Sequence, residues 1–287
     1  MEAVEERACA KLNLSLDVLG AMDNGYHAMR MVMQSATLCD DVRVELNGSG
    51  AISLRTNFGF LPHGEKNIAY QAAQAFFARA GMTGQGAAIT LHKRIPVGAG
   101  LGGGSTDAAA VLRALNRLTG ERFSAAELET LGAALGSDVP FCVRGGAALA
   151  TGRGEVLEPI APLPECGIVI CKPRFSIRTP ELFRRIDTRH SRIRPDTDGL
   201  VEAMARGDLS GAARRMFNVF EDVLPPKCAE IGVIKHRLLD AGALGAVMTG
   251  TGSAVIGLFE TLPAAEAAAE ELRGSYSECC AAAPACE

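Results

Sequence analysis

No two cysteines in this 287-residue chain stand at the C-x-x-C spacing of a zinc or redox site. The cysteines number nine, an odd count, so no disulfide framework is expected and the thiols read as reduced. Cys279, Cys280 and Cys286 cluster near the end without a functional reading. No run of Lys and Arg supplies an electrostatic footprint for nucleic acid, and a formal net charge of -4 gives no field favouring it. No apolar stretch approaches the roughly 20 residues a membrane span needs. The start carries Glu2, Glu5 and Glu6 and no apolar core, unlike a signal peptide. There is no internal repeat and no long low-complexity segment. These absences lead to the expectation of a cytoplasmic protein without a nucleic-acid or membrane partner, a monomer or weak homodimer.

What is present is ordinary globular material, 48% hydrophobic and 22% charged. The length suggests two domains or one large one. From Ala8 to Val18 the chain alternates: Ala8, Ala10, Leu12, Leu14 and Leu16 share one face, and Cys9, Lys11, Asn13, Ser15 and Asp17 the other. A period of two predicts a half-buried strand. Residues 20–25 read as a turn. Val42, Val44 and Leu46 mark another strand, and 87–93 a third. Helices are predicted over 67–79, 105–118 and, behind the Ser124/Glu127 capping box, 124–136. A hairpin is predicted around Gly152-Arg153-Gly154. Pro159, Pro162 and Pro164 mark a linker, which divides the chain into 1–158 and 159–287. Beyond it the spacing predicts strands at 167–172, 246–248 and 254–259, and helices near 200–206, 209–222, 229–240 and 263–273. Elements intermix without a steady βαβ rhythm, so both halves are expected to be α+β.

The strongest signal is Pro96-Val97-Gly98-Ala99-Gly100-Leu101-Gly102-Gly103-Gly104-Ser105-Thr106, with five glycines between a strand and a helix. Glycines let backbone N–H groups approach a ligand. The helix start beyond adds unpaired donors and partial positive charge, so the segment is suited to phosphates. Ser105 is placed to offer its hydroxyl to a phosphate or to Mg²⁺. Asp107 reads as a first-turn acid complementing the helix dipole rather than as a catalyst. Gly98, Gly100 and Gly103 satisfy G-x-G-x-x-G, but Glu121, the acid near dinucleotide spacing, follows no second strand. The Walker A reading fails because no Gly-Lys-Ser/Thr closes the loop. Asp138, in Gly136-Ser137-Asp138-Val139-Pro140-Phe141, is expected at a loop-to-strand junction, since Pro140 disfavours helix at Val139.

The loop resembles the second motif of the galactokinase–homoserine kinase–mevalonate kinase (GHMP kinase) family, P-x-x-x-G-L-G-S/G-S/G-S/A, at every position. Ala10-Lys11-Leu12-Asn13-Leu14 resembles its first motif and Gly250-Thr251-Gly252-Ser253 its third. The resemblance implies a two-domain α+β fold, an N-terminal domain like the second domain of ribosomal protein S5 (1–158) and a ferredoxin-like C-terminal domain (159–287). It implies ATP with Mg²⁺, Asp138 taking the proton of an acceptor hydroxyl, and Lys11 keeping Asp138 ionised. Gly25-Tyr26-His27, Val32-Met33-Gln34-Ser35, Gly136 to Phe141, Thr179 to Phe183 and Asn218 to Glu221 resemble one branch of the family. That branch phosphorylates 4-diphosphocytidyl-2-C-methyl-D-erythritol in the non-mevalonate isoprenoid pathway. The resemblance to it implies a small-molecule substrate, with Tyr26 and Phe183 stacking on cytosine, His27 reading its edge, Asn13 in the substrate site and Asn67 near adenine.

Overall fold

The computed structural model describes residues 2–23, 25–188 and 193–285. Cys286 therefore lies outside the described residues. In chain order the elements are β1 (Ala3–Ala21), β2 (His27–Asn47), β3 (Ile52–Thr56), α1 (Ile68–Arg79), β4 (Gly86–His92), α2 (Gly103–Leu118), α3 (Ala125–Leu135), α4 (Val139–Arg144), β5 (Ala147–Thr151) and β6 (Val156–Pro159). These are followed by β7 (Gly167–Lys172), α5 (Thr179–Thr188), α6 (Thr197–Ala205), α7 (Leu209–Arg214), β8 (Phe217–Asn218), α8 (Glu230–Asp240), β9 (Gly245–Met248), β10 (Val255–Phe259), α9 (Leu262–Arg273), β11 (Glu278–Ala282) and β12 (Pro284–Ala285). Among the described residues, no helix is long and apolar enough to cross a membrane.

The chain forms two compact units, and each is discontinuous: Met1–Ala10, Cys39–Ile95 and Gly102–Gly145 make the first, and Lys11–Leu38, Pro96–Leu101 and Gly146–Glu287 the second. β1 and β2 each run from one unit into the other.

In the first unit β4 pairs antiparallel with β2, Asp41 opposite His92, and parallel with β3. α1, α2, α3 and α4 pack on one another. Asn67 caps α1 by accepting from the Ala69 N–H at 3.0 Å, and the Ser124/Glu127 capping box opens α3. Such caps contribute about 1 kcal/mol each. Cys9 and Cys39 are joined as a disulfide, their Cα atoms 4.0 Å apart on neighbouring strands. This overturns the expectation of thiols reduced throughout. A pairing made by strand register across 30 residues leaves no signature in cysteine spacing.

In the second unit β11, β7, β10 and β9 form a four-stranded sheet in that order, with antiparallel pairing throughout. α9 lies against β7 and β11, and α8 against β9 and β10. The early part of β2 pairs with β5 and with the tail strand β12, and β1 pairs with β8. Three sequence expectations change. β1 is buried on both faces: Lys11, Asn13, Ser15 and Asp17 are buried along with Leu12 and Leu14. Their polar groups find partners, as where Asp17 meets Arg194 at 2.6 Å and Ser15 meets Thr197. The predicted helix over 209–222 stops at Arg214 and gives way to β8. There the Asn218 side chain accepts from the Phe220 N–H and donates to the carbonyls of Met248 and Gly250, both at 2.7 Å. α5 and β3 arise where no element was predicted.

Asp107 also departs from its predicted role. It is a buried partner of Lys93 and not an acid at the surface of the helix start. The Lys93 ammonium, itself buried, donates to Asp40, to Asp107 at 2.5 Å and to the Gly103 carbonyl at 3.1 Å. Asp40 additionally accepts from the backbone N–H groups of Arg94 and Ile95. One cation thus serves two carboxylates, and Asp107 Oδ1 is buried without a hydrogen-bond partner. Removing one member of such a buried set costs about 3–5 kcal/mol.

Burial, with Lys93 opposing it, pushes the Asp107 carboxyl up to about 7 from the ordinary 3.8. The native state then holds this proton more tightly than the unfolded chain does, so Asp107 subtracts stability as pH rises from about 4 to about 7. Asp107→Asn, which cannot ionise, escapes that loss. In urea denaturation its stability deficit relative to wild type is expected to be smaller at pH 8 than at pH 5. Equal deficits at both values would contradict this account.

Candidate active site

Within the second unit, three sequence-distant segments meet through their backbones. The Lys11 N–H donates to the Leu101 carbonyl at 3.0 Å, and the Ala254 N–H donates to the Ala99 carbonyl at 3.1 Å. The Asn13 N–H donates to the Thr249 hydroxyl at 2.9 Å. At Gly100, with φ +78°, a Cβ would fall well inside the 3.0 Å that real Cβ atoms keep, against the Thr249 carbonyl. A Cβ on Gly250 would meet the Gly100 carbonyl at 2.9 Å. Glycine is required here twice over, for the left-handed backbone and for the close approach. Asn218, through its bonds to Met248 and Gly250, holds the facing loop in place. Pro96 to Leu101, Lys11 and Asn13, and the segment from Thr249 to Ser253 are therefore brought together as one packed core. On the polar side of β1 the Lys11 ammonium donates to Asn13 Oδ1 at 2.7 Å, and Asn13 Nδ2 reaches the Met31 sulfur.

The rest of the glycine-rich segment belongs to the first unit. Gly102 takes a left-handed φ of +70° and stands as N-cap of α2 without a side-chain cap. The N–H groups of Gly103, Gly104 and Ser105 in the first turn lack intrahelical acceptors by the geometry of any helix start. Gly104 is exposed and Ser105 half-buried. A first turn without a side-chain cap, preceded by left-handed glycines, fits the phosphates of a nucleotide, because its N–H donors have no intrahelical acceptors. Thr106 differs from Ser105, since it is buried and its hydroxyl donates to the Cys9 carbonyl at 2.7 Å. Asn67, also placed in the first unit, spends both ends of its amide on the local chain, accepting from Ala69 N–H and donating to the Pro62 carbonyl at 2.8 Å.

Asp138 stands at the start of α4, not before a strand as expected. Its φ/ψ of -83°/-15° lead into the helix, and Pro140 occupies the first turn. The correction has a simple cause: proline is excluded from helix interiors but tolerated in a first turn, where its missing N–H has no partner to lose. The Asp138 carboxylate makes no capping bond to this helix. Arg113 of α2 donates to the Cys142 carbonyl at 2.7 Å and so ties α4 to α2.

The second unit also carries an aromatic cluster. His27 and Phe183 lie with ring centroids 4.7 Å apart, and Phe183 meets Phe220 edge-on at 5.0 Å. Tyr26 is 53% exposed, and the Arg153 guanidinium lies 4.8 Å from its ring centroid. Sequence reasoning singled out neither Arg153 nor Lys93. Arg153 sits in a hairpin turn and Lys93 at a strand end, positions where a cation is ordinarily solvated.

Comparison with known proteins agrees with this geometry. The family model described as GHMP kinases N terminal domain matches residues 67–146, and that described as GHMP kinases C terminal matches residues 200–278. A 4-diphosphocytidyl-2-C-methyl-D-erythritol kinase of Alkaliphilus metalliredigens is 41% identical, over 97% of this chain and 95% of its own. One of Pelotomaculum thermopropionicum is 44% identical, over 93% and 92%. A crystal structure of 4-(cytidine 5'-diphospho)-2C-methyl-D-erythritol kinase superposes with a TM-score of 0.84 at 35% identity, covering 98% of this chain and 99% of that one. Resemblance across nearly the whole length, together with the meeting of the motif segments, decides the matter: the chain belongs to the GHMP kinase family, alongside the 4-diphosphocytidyl-2-C-methyl-D-erythritol kinases.

Proposed function

We propose that this protein transfers the γ-phosphoryl group of ATP to the 2-hydroxyl of 4-diphosphocytidyl-2-C-methyl-D-erythritol, a step of the non-mevalonate isoprenoid pathway, in the cytoplasm. The observation that carries the choice of acceptor is the pairing of the His27 and Phe183 rings in one unit, with the exposed Tyr26 next to His27 in sequence and the Arg153 guanidinium over its ring. Aromatic faces suit a pyrimidine base, and the relatives are named for a cytidine-diphosphate substrate.

Phosphoryl transfer asks the protein for positioning and charge neutralisation more than for covalent chemistry. The N–H groups of the loop from Gly98 to Ser105 hold the phosphates, and Asn67 lies toward the adenine end. Ser105 is the residue whose hydroxyl would help hold Mg²⁺ on the nucleotide, and the ion would supply charge neutralisation there. Asp138 accepts the proton of the acceptor hydroxyl, because an alcohol attacks poorly until a carboxylate takes that proton. Lys11 supplies positive charge for the transfer, and Asn13 orients Lys11 from the same strand face. In chain order, 1–158 is the ATP-binding and catalytic part and 159–287 the C-terminal part.

The deciding measurement is coupled ADP release with Mg²⁺–ATP, comparing the cytidylyl acceptor with homoserine and mevalonate. Turnover with the cytidylyl acceptor alone is expected, and turnover only with another acceptor would overturn the assignment of the aromatic cluster. Asp138→Asn is expected to lower kcat by at least about a hundredfold, the scale of general-base catalysis, while ATP still binds. A near-normal rate would remove Asp138 from the base role. Gly100→Ala forces a Cβ into the Thr249 carbonyl and should weaken ATP binding in calorimetry. If the variant folds and binds ATP normally, the loop does not carry the nucleotide.

A further inference from the structure

The structure assigns Asp187 a task beyond the reaction itself: we propose that it is the positioning residue that fixes the tautomer of His27, and through it the preference for cytosine over uracil. The inference rests on the reading of the aromatic cluster as a cytidine site.

His27 Nε2 lies 2.7 Å from Asp187 Oδ1, and among the described residues this is the ring's one polar side-chain partner. Asp187 and Phe183 stand four residues apart on α5, and so on one helix face. α5 thus grips the imidazole twice, with the Phe183 ring against its face and the Asp187 carboxylate at its edge. The His27 side chain is 14% exposed, and that of Asp187 is 49% exposed.

The helix gains nothing from Asp187. A carboxylate in the last turn faces the partial negative charge of the helix C-terminus, where a cation would be favoured. Neither does a half-exposed pair contribute much to stability. What the pair does determine is where a proton sits. An ionised carboxylate can only accept, so the hydrogen it receives must be on Nε2. In the neutral ring Nδ1 is then left with its lone pair and can only accept.

An acceptor at that position discriminates between pyrimidines at their 4-position. Cytosine presents an exocyclic amino group there, which donates; a uracil-type base presents a carbonyl oxygen, which would face the Nδ1 lone pair unpaired. Sites that demand one hydrogen bond reject the analogue lacking it far more strongly than an apolar pocket rejects a misfit. The opposite tautomer would invert the preference.

The test uses the full chain, CDP and UDP as competing nucleotides, and Asp187→Leu beside the conservative Asp187→Glu. Wild type is expected to bind CDP about tenfold to a hundredfold more tightly than UDP. Asp187→Leu should shrink that ratio to within about threefold, chiefly by weakening CDP, with KM for ATP and kcat nearly unchanged, and Asp187→Glu should restore part of it. Long-range ¹H–¹⁵N spectra of wild type should show His27 with its proton on Nε2, and those of Asp187→Leu a mixture of tautomers. A proton on Nδ1 in wild type overturns the inference without recourse to any variant. So does an unchanged CDP/UDP ratio in Asp187→Leu. Wild-type indifference to the base, with no turnover of the cytidylyl acceptor, overturns the inference together with the reading it rests on.

Discussion

The missing Cβ of Gly100 is the constraint from which the second unit's candidate site is built. Backbone meets backbone there, loop against loop, at a distance no side chain would permit. Such an approach puts polar groups of both segments out of reach of water, and each then needs a partner. The partners are supplied in turn. Ala254 bonds to Ala99, Lys11 to Leu101, Asn13 to Thr249, and Asn218 bridges Met248 and Gly250. None of these bonds is worth much alone, since each replaces a bond to water. Their effect is to leave the loop with one arrangement, and it is arrangement that phosphoryl transfer requires.

The remainder of the glycine segment is held by different means. Beyond Gly102 the chain becomes a helix whose first-turn N–H groups lack intrahelical acceptors, and the Gly103 carbonyl is secured by Lys93. Placing an ammonium and two carboxylates in the interior is costly. Here it is offset by a full complement of bonds to Lys93 and by two backbone N–H groups on Asp40. Asp107, with one oxygen unpartnered, carries the residual cost, and burial raises its carboxyl to about 7 against the pull of Lys93. A hydrophobic trio could fill the same volume with less penalty. It could not fix the direction of a carbonyl in the first turn of the helix.

The two halves of the site were not equally legible in the sequence. The alternation of β1, the glycine segment and the Ser124 capping box depend on neighbours within a few residues, and the predicted elements match those observed. The element at Asp138 was misread because Pro140 carries the same local signal whether it ends a helix or sits in its first turn. The helix predicted through Asn218 failed because its competitor, the loop at Met248–Gly250, lies 30 residues away. Lys93, Asp187 and the Cys9–Cys39 pair were invisible for the same reason. Nothing near Lys93 in sequence announces Asp40, and nothing near His27 announces α5. The compact units themselves interleave along the chain, which a linear scan for proline-rich linkers has no means of detecting.

That pattern of success and failure follows the chemistry. Residues that touch a phosphate or a reacting proton are constrained by the ligand, so their types and spacing carry across a family and can be recognised as motifs. Residues that position those groups are constrained only by the pocket they fill and the bond they complete. Asp187 is such a residue: any acceptor reaching His27 Nε2 from any element would settle the same tautomer. The histidine proposed to read the base can therefore be picked out from Gly25-Tyr26-His27, whereas its carboxylate partner on α5 has to be found in three dimensions.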